Sequence, residues 1–464
     1  MTYNNTSLIR LLLESKALLR LSIPIIITQL ATQGMGFVDT TMAGQVSPSD
    51  LAAIALGTSL WVPANLLLRG VLMALTPITA FHRGSGDKDK ISSELFQMAW
   101  IALFGSLILI VYLNFGGAIL SFVNVSAEVI PIASNYLIAL AFGVPGIALF
   151  YTLNSFCEGM NNTKAPMFFS LLGLAINIPI NYILIYGKFG MPALGAVGSG
   201  WATSIVYWAM SILLFLYIRR HHHYKNIIDY SHFAPHFSPI VKLVKLGLPI
   251  GINIAVCGSI FSVIALLIGR LGTTNIASAQ IALNISSMTY MIPMSLSFGI
   301  TVRVGHALGK NDELTAKFRS KIGIAIAALL SMISAAFFIL FPEWITRLYT
   351  TDPIISATAS SLLFYTAIYQ ISDALQTSSN GALRAYKDTK IPMFLACTAY
   401  WGIALPLGIT LGMTNYIVPA MGETGFWIGI IAGLSLSALL MLLRLTQVVK
   451  RRESPDTMLC AAAT

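Results

Sequence analysis

Residues 34–44 read GMGFVDTTMAG and place a carboxylate, Asp39, inside the first long apolar segment of the chain. Only 10% of the residues are charged, and the following stretch, 51–81, contains no acid. Burying a carboxylate in hydrocarbon is costly, so an acid in such a segment usually faces a partner, a water-filled cavity or an ion path. Asp373, in AIYQISDALQ, is the comparable acid of the second half. Two such carboxylates in a membrane protein indicate a transporter that handles cations.

The composition of the chain is that of a membrane protein. Of its 464 residues, 56% are hydrophobic and 10% are charged, whereas soluble domains carry roughly 25% charged residues. A spanning helix needs about 20 mainly apolar residues and satisfies its backbone hydrogen bonds within the segment. The sequence predicts an all-α membrane protein with twelve transmembrane helices, centred on 17–39, 52–80, 95–115, 129–152, 165–186, 196–217, 241–268, 277–300, 322–341, 355–380, 391–412 and 425–445.

The net charge of +10 follows the predicted topology and does not indicate an anionic partner such as nucleic acid. With twelve spans, 24 of the 28 Lys and Arg residues fall on the side that holds both termini. Positive residues mark the cytoplasmic face of a membrane protein. We therefore expect a multi-pass protein of the cell inner (plasma) membrane, with both termini cytoplasmic, with membrane lipid as a partner and without nucleic acid.

The two halves of the chain repeat one another. Three segments recur in the same order, with an offset that drifts by one residue each time: RLSIP (20–24) and KLGLP (245–249), NTKAPMF (162–168) and DTKIPMF (388–394), LGAVG (194–198) and MGETG (421–425). Each half holds six spans and therefore enters and leaves on one side, which predicts parallel repeats around a central cleft. The predicted division is an N-terminal lobe, 1–218, a cytoplasmic linker, 219–241, and a C-terminal lobe, 242–464.

The two acids break this duplication. Ile264 stands at the position equivalent to Asp39, and Ile147 at the position equivalent to Asp373. A packing role tied to the fold should appear in both halves. An acid present once in each half, at unmatched positions, indicates specialised chemistry.

Several segments together resemble the NorM-type branch of the multidrug and toxic compound extrusion (MATE) family. They are GMGFVDTTMAG, NIPINYILIYGKFG, GAVGSGWATSIVYW, IPMSLSFGITVRVGHALG, and YQISDALQ with LRAYKDTK. The resemblance covers about residues 17–446. It implies twelve spans in two lobes and the export of organic cations in exchange for inward Na⁺ or H⁺.

The resemblance also implies a cation site in the N-terminal lobe. Carried over position by position, this site falls on Asp39 in span 1, Asn177 and Asn181 in span 5, and Thr203 in span 6. The two asparagines are four residues apart and share a helix face. Carboxylate, amide and hydroxyl oxygens suit a hard cation, so Na⁺ is the metal that this site is expected to take. The alternatives are a helix cap or a bond to a neighbouring threonine for Asp39, and helix-to-helix hydrogen bonds for the asparagines.

In the C-terminal lobe, the resemblance implies a cation or substrate site at Asp373, with Tyr369 and Gln370 on the preceding turn. The branch commonly carries a glutamate in span 7, and this chain has Cys257 there. A thiol is a poor ligand for Na⁺, which shifts the expected Na⁺ site to the N-terminal lobe. Arg69 in span 2 is expected to pair with one of the two acids or to extend toward the cytoplasmic end of its helix.

The sequence predicts a multidrug efflux antiporter that is not an enzyme and holds no cofactor beyond the coupling ion, Na⁺ or H⁺. Its expected partners are small organic cations, and it is expected to be monomeric. The first alternative is a lipid-linked oligosaccharide flippase of the same superfamily, which would need several arginines for pyrophosphate, where this chain offers Arg69. The second is a channel or receptor, which the duplicated halves with unmatched acids disfavour.

Overall fold

The computed structural model describes residues 2–122, 126, 128–416 and 418–453, and its regular elements in this part of the chain are all helices. The α-helices are α1 (Thr2–Gly44), α2 (Pro48–Leu72), α3 (Leu75–Ser85), α4 (Lys88–Asn114), α5 (Gly116–Phe122), α6 (Val129–Gly159), α7 (Lys164–Tyr186), α8 (Ala196–Arg220), α9 (His222–Lys225), α10 (Phe237–Ile268), α11 (Thr273–Gly309), α12 (Glu313–Leu340), α13 (Pro342–Arg347), α14 (Pro353–Ala385), α15 (Lys390–Cys397), α16 (Leu405–Met413) and α17 (Glu423–Glu453). Short 3₁₀ turns lie at Tyr230–Phe233 and Gly269–Leu271, and a π-helical stretch, Thr398–Ala404, joins α15 to α16.

The transmembrane prediction is confirmed. Within the described ranges, eleven helical segments are long and apolar enough to cross a membrane, and they coincide with the second to twelfth predicted spans. The first predicted span lies in α1, which is 43 residues long. The fourth predicted span ends too early, because α6 continues to Gly159 and so includes Glu158.

The residues group into two compact units. The N-unit comprises Ile23–Gly251, and the C-unit comprises Met1–Ser22 with Ile252–Thr464. Both divisions fall inside a helix, α1 and α10, whereas the sequence predicted a division at the linker 219–241. The two divisions differ because the compact units are defined by contacts between helices, whereas the predicted division was based on the polarity of the linker. A long helix can contact one unit along its first half and the other along its second half.

The linker belongs to the N-unit because α4 binds its backbone. Gln97 Nε2 donates to Ala234 O at 2.9 Å, and Gln97 Oε1 accepts from His236 N at 2.8 Å. Trp100 Nε1 donates to Phe233 O at 2.8 Å. These bonds satisfy backbone groups of an irregular segment that would otherwise need water.

The N-unit is built around α6, which packs against α2, α3, α4 and α8. Gly143 of α6 lies so close to α8 that a Cβ there would be 2.7 Å from Ser204 Cα. Small residues at such positions let membrane helices approach closely. In addition, Ser204 Oγ donates to Ala139 O at 2.6 Å.

The C-unit is built around α14, which packs against α11, α12 and α17. Thr301 Oγ1 of α11 donates to Gly381 O at 2.7 Å. In the N-unit, Thr76 Oγ1 donates to Ser155 O at 3.3 Å, and these two pairs occupy equivalent positions of the sequence repeat. The duplicated sequence therefore forms the same interhelical bond twice.

The first half of α1 is held to the C-unit by charge. Glu14 forms salt bridges with Arg303 and Arg319, and Arg10 Nη2 donates to Thr315 Oγ1 at 2.9 Å. The Arg10 guanidinium also lies 4.5 Å from the centre of the Phe318 ring. A shared carboxylate between two arginines fixes this segment of α1 on α11 and α12.

Candidate cation site

Asp39 lies at the centre of a buried polar cluster in the N-unit. Its Oδ1 accepts hydrogen bonds from Asn177 Nδ2 at 3.1 Å and Asn181 Nδ2 at 2.6 Å. Its Oδ2 accepts one from Thr203 Oγ1 at 2.6 Å. The structure therefore brings together all four residues of the predicted N-lobe site, and their role in ion coupling stays a prediction.

Three helices position these side chains. Asn177 and Asn181 lie one turn apart on α7, so both reach the same oxygen of Asp39. Helix α1 runs unbroken through Asp39 to Gly44, and Thr40 Oγ1 donates to Gly36 O at 2.9 Å. The alternative in which Asp39 caps a broken helix or binds Thr40 is therefore wrong.

Two amide oxygens in the cluster accept no hydrogen bond from the part of the chain that the structure describes. Asn177 and Asn181 are fully buried, and neither Oδ1 accepts a hydrogen bond within the described residues. A buried polar atom without a partner costs about 1–3 kcal/mol. Turning either amide by 180° would exchange its NH₂ group for the carbonyl oxygen at Asp39. The cluster thus holds spare oxygens that a cation could take up.

Binding of a proton and binding of a metal cation at Asp39 would leave different hydrogen bonds in the cluster. A hydroxyl can donate to a carboxylate or accept from a carboxylic acid, so Thr203 could keep its bond to Asp39 Oδ2 when that oxygen is protonated. Amide NH₂ groups only donate, and would keep their bonds to Oδ1. Na⁺ takes oxygen ligands, and turning either asparagine would add its amide oxygen to the carboxylate and hydroxyl oxygens beside Asp39.

The acid of the C-unit is more loosely held. Asp373 is buried on α14, and the hydrogen bond that it accepts, from Thr377 Oγ1, is 3.5 Å long. Tyr369 OH bonds to Ser286 Oγ, and the buried Gln370 Oε1 accepts no hydrogen bond among the described residues. The three predicted C-lobe residues share one face of α14, but no hydrogen bond there joins them to one another.

Cys257 belongs to a network beside Asp373. Its Sγ lies 3.6 Å from Asn253 Oδ1 and 4.0 Å from Gln376 Nε2. Gln376 Oε1 accepts a hydrogen bond from Tyr400 OH at 2.9 Å, and Tyr400 lies in the π-helical stretch. Single π turns occur often at functional sites. Gln376 and Tyr400 were not predicted from the sequence, although Gln376 shares with Asp373 the i, i+3 spacing that could have revealed it.

Arg69 makes no ion pair with Asp39 in the part of the chain that the structure describes. Its Nη2 donates to Gln29 Oε1 at 2.8 Å, and its guanidinium lies 5.3 Å from the centre of the Tyr151 ring. The predicted pairing with Asp39 is therefore wrong. An amide oxygen and an aromatic face stabilise this cation instead.

The sequence matches a known protein family. A model of the MatE family matches residues 24–183 and 249–410, which lie in the two repeated halves. The chain belongs to the MatE family. The resemblance to the NorM-type branch is confirmed by relatives of similar length.

Two relatives of this MATE protein are similar along almost their whole length. The "Probable multidrug resistance protein NorM" of Shewanella oneidensis is 41% identical over 440 residues, which cover 95% of this chain and 96% of the relative. The "Multidrug resistance protein MdtK" of Yersinia pseudotuberculosis is 44% identical over 442 residues, which cover 95% and 97%.

Solved structures share the fold at low sequence identity. The eukaryotic MATE transporter AtDTX14 superposes with a TM-score of 0.83 at 20% identity, over 95% of this chain and 98% of that one. An outward-facing multidrug resistance MATE transporter of the MOP superfamily gives 0.84 at 19% identity, over 94% and 97%. These likenesses support the twelve-span MATE fold.

Proposed function

We propose that this MATE protein is a multidrug efflux antiporter of the cell inner membrane, exporting small organic cations in exchange for inward Na⁺ or H⁺. The observation that carries the proposal is the buried Asp39 cluster, in which two amide oxygens accept no hydrogen bond from any described residue. Relatives more than 40% identical are named multidrug resistance proteins. Both termini would lie in the cytoplasm, in line with the distribution of Lys and Arg.

The coupling ion would act at Asp39. A carboxylate in a site of low polarity is stable when a cation neutralises it and unfavourable when it is bare. Entry of the ion from outside therefore favours the state in which Asp39 is neutralised, and its release inside returns the bare carboxylate. An ion shifts a conformational equilibrium only by the difference between its affinities for the two states.

The membrane potential acts on the net charge that is moved in each transport cycle. Each unit charge that enters down the potential releases about 2.3 kcal/mol per 100 mV, and each unit charge that leaves on the drug requires the same amount. The potential therefore contributes when more positive charge enters than leaves, and in a one-for-one exchange the ion gradient alone drives export. The looser Asp373 region, with Tyr369 and Gln370 on the same helix face, would contact the drug cation or a second coupling ion.

The alternative functions receive less support. A lipid-linked oligosaccharide flippase would need arginines free to bind pyrophosphate, and Arg69 is held by Gln29 and Tyr151. The comparisons offer no support for a flippase. We also propose that the protein is not an enzyme, works without a cofactor beyond the coupling ion, and functions as a monomer without a nucleic-acid partner.

The test is transport by the purified full chain in lipid vesicles. A Na⁺ gradient and a proton gradient are imposed separately, and accumulation of a fluorescent organic cation is measured. We expect one of the two gradients to drive accumulation in the wild type and not in Asp39→Asn. Wild-type vesicles that respond to neither gradient would overturn the proposal.

A further inference from the structure

A tyrosine hydroxyl joins α7 to the end of α1 beside the Asp39 cluster. Tyr186 OH donates to Met42 O at 3.0 Å and lies 3.0 Å from Gln45 Oε1. A phenol donates one hydrogen bond, and a Gln45 amide turned by 180° would donate its NH₂ group to the same hydroxyl. Tyr186 and Met42 are half-buried, whereas Gln45 is exposed. The contact therefore lies at the boundary between the protein interior and its surface.

This contact lies on the outer side of Asp39. Helices α1 and α7 are separated by the spans at Pro48–Ser85, Lys88–Asn114 and Val129–Gly159. Both helices therefore run away from the proposed cytoplasmic face and end on the same side. Met42 is three residues beyond Asp39, and Tyr186 is the last residue of α7. At a rise of about 1.5 Å per residue, Met42 stands about 4.5 Å further out along α1 than the acid.

The contact closes the outer side of a buried site. Asp39 is 8% exposed, and the two asparagines that bind it are fully buried. An ion that comes from outside needs an opening at the outer ends of the helices that carry the site, and Tyr186 holds two of these, α1 and α7, together. Lys188, in the loop that follows, is exposed, so water and salt screen its charge from an approaching cation.

The loop after α7 fixes the backbone of Tyr186. Gly187 has a φ of 66°, in the left-handed region that glycine adopts without strain. The loop then returns to the helix, where Leu194 N donates to Leu184 O at 3.0 Å. With the backbone held, a change of the Tyr186 side-chain rotamer is the simplest way to break the contact.

The C-unit forms the same helix end without a hydroxyl. Met421 N donates to Leu411 O at 2.9 Å, the counterpart of the loop bond in the N-unit. This register, which also aligns LGAVG with MGETG, places Met413 where the N-unit has Tyr186. A thioether cannot donate a hydrogen bond. The fold therefore does not require the hydroxyl, and its presence in the unit that holds Asp39 indicates a role in transport.

The hydrogen bond of Tyr186 is weak enough to break in every transport cycle. It joins two uncharged groups, and such a bond contributes less than the bonds that a charged Asp39 accepts. We propose that Tyr186 is the outer gate of the Asp39 site, and that the coupling ion enters from outside when the hydroxyl leaves Met42. The inference rests on the proposed antiport.

The test compares the wild type with Tyr186→Phe, which removes the hydroxyl and keeps the ring. Right-side-out membrane vesicles that contain the full chain are loaded with a fluorescent organic cation. Efflux of this cation is measured across a series of external Na⁺ concentrations and, separately, of external pH values.

We expect the variant to need less of the coupling ion. A site that is open for part of the time binds with an affinity reduced by the open fraction. The external ion concentration for half-maximal efflux should therefore fall by about 2- to 12-fold, the effect of losing one neutral hydrogen bond from the closed state. For a proton, this is a rise of about 0.4–1.1 in the external pH of half-maximal efflux. Structural damage would change the concentration in the opposite direction.

Tyr182→Phe is the matched control. Tyr182 lies one turn before Tyr186 on α7, and 5.6 Å separate the centres of the two rings. The Tyr182 hydroxyl makes no hydrogen bond within the part of the chain that the structure describes, so its loss should leave the half-maximal concentration unchanged. The affinity of the purified protein for the fluorescent cation should stay within twofold in both variants. If Tyr186→Phe does not fold, Gln45→Ala, at an exposed residue, serves and should lower the half-maximal concentration by about twofold.

Each further outcome decides the question. An unchanged or higher half-maximal concentration in folded Tyr186→Phe, or in Gln45→Ala where that variant is used, would overturn the inference while leaving the antiport intact. An equal fall in Tyr182→Phe would also overturn it, because the lost bond would not be the cause. A loss of drug affinity in Tyr186→Phe would assign Tyr186 a structural role instead. Wild-type vesicles in which neither ion drives efflux would contradict the proposed function.

Discussion

Asp39 and Asp373 are two buried acids in helices of one membrane protein, and their surroundings differ. Three donors from two helices bind both oxygens of Asp39, two of them at 2.6 Å. Asp373 accepts a 3.5 Å bond from Thr377, a neighbour on its own helix. A carboxylate fixed at both oxygens is organised for one small ion. A loosely held one can adapt to ligands of different shapes.

The largest expected effect is at Asp39. We expect Asp39→Asn to abolish drug resistance in cells, a loss of about 100-fold or more in transport if the acid carries the coupling proton. The reason is that the amide cannot neutralise a cation. Minimum inhibitory concentrations for several drugs, measured at equal protein level in the membrane, check this. Full resistance in the variant would remove Asp39 from the mechanism.

Asp373→Asn should reduce the transport of some substrates more than that of others. A hydrogen bond to a charged group contributes about 1.5–3 kcal/mol, which corresponds to roughly 10- to 150-fold for the substrates that contact this carboxylate. Efflux of several chemically distinct cations from vesicles measures the spread. An equal loss for every substrate, as deep as that of Asp39→Asn, would contradict the difference between the two acids.

Thr203→Val tests the short hydrogen bonds at Asp39, the more firmly held of the two acids. It removes the hydroxyl that donates to Asp39 Oδ2 at 2.6 Å. If the coupling ion is Na⁺, we expect its affinity to fall by about tenfold, near the lower end for a bond to a charged group, because a ligand oxygen is lost, and a higher Na⁺ concentration should restore transport. If the ion is a proton, its binding should strengthen, because the lost bond stabilises the charged carboxylate. Thr203→Ser, which keeps the hydroxyl, is the control.

Thr377→Val is the matched change at the other acid, where the bond is 3.5 Å long. It should alter the ion concentration needed for half-maximal efflux by much less than Thr203→Val does. Equal shifts for the two variants would show that the short contacts at Asp39 carry no special role.

At Cys257 we expect a gain and not a loss. Cys257→Glu adds a carboxylate to the network of Gln376 and Asn253 in the unit of Asp373, and should supply ligand oxygens that sulfur cannot. We expect Na⁺ stimulation of efflux to rise about fivefold, the lower end of typical coupling energies. The rise should be greatest at alkaline pH, where protons compete least.

Efflux from wild-type and Cys257→Glu vesicles across a Na⁺ series at two pH values measures this. A wild type already driven strongly by Na⁺, with no gain in the variant, would show that the Asp39 cluster suffices.

The sequence determined the class of fold and, through its resemblance to a known family, Asp39 and the three residues around it. Apolar length fixes a membrane helix because lipid offers its backbone no other hydrogen-bond partners, and eleven of the predicted spans coincide with observed apolar helices. The four residues were found through family resemblance. The helix periodicity of α7 explains why its two asparagines reach one oxygen.

Only the tertiary structure decided which polar side chains contact one another. Arg69 binds Gln29, 40 residues away, and Gln376 meets Cys257, 119 residues away; helix periodicity carries no information across such separations. Helix α6 continues past residue 152 and packs against α3, where Thr76 donates to Glu158 and the carboxylate is buried. A polar residue at a helix end looks like a loop residue in the sequence, and only its neighbours reveal that it lies inside the protein.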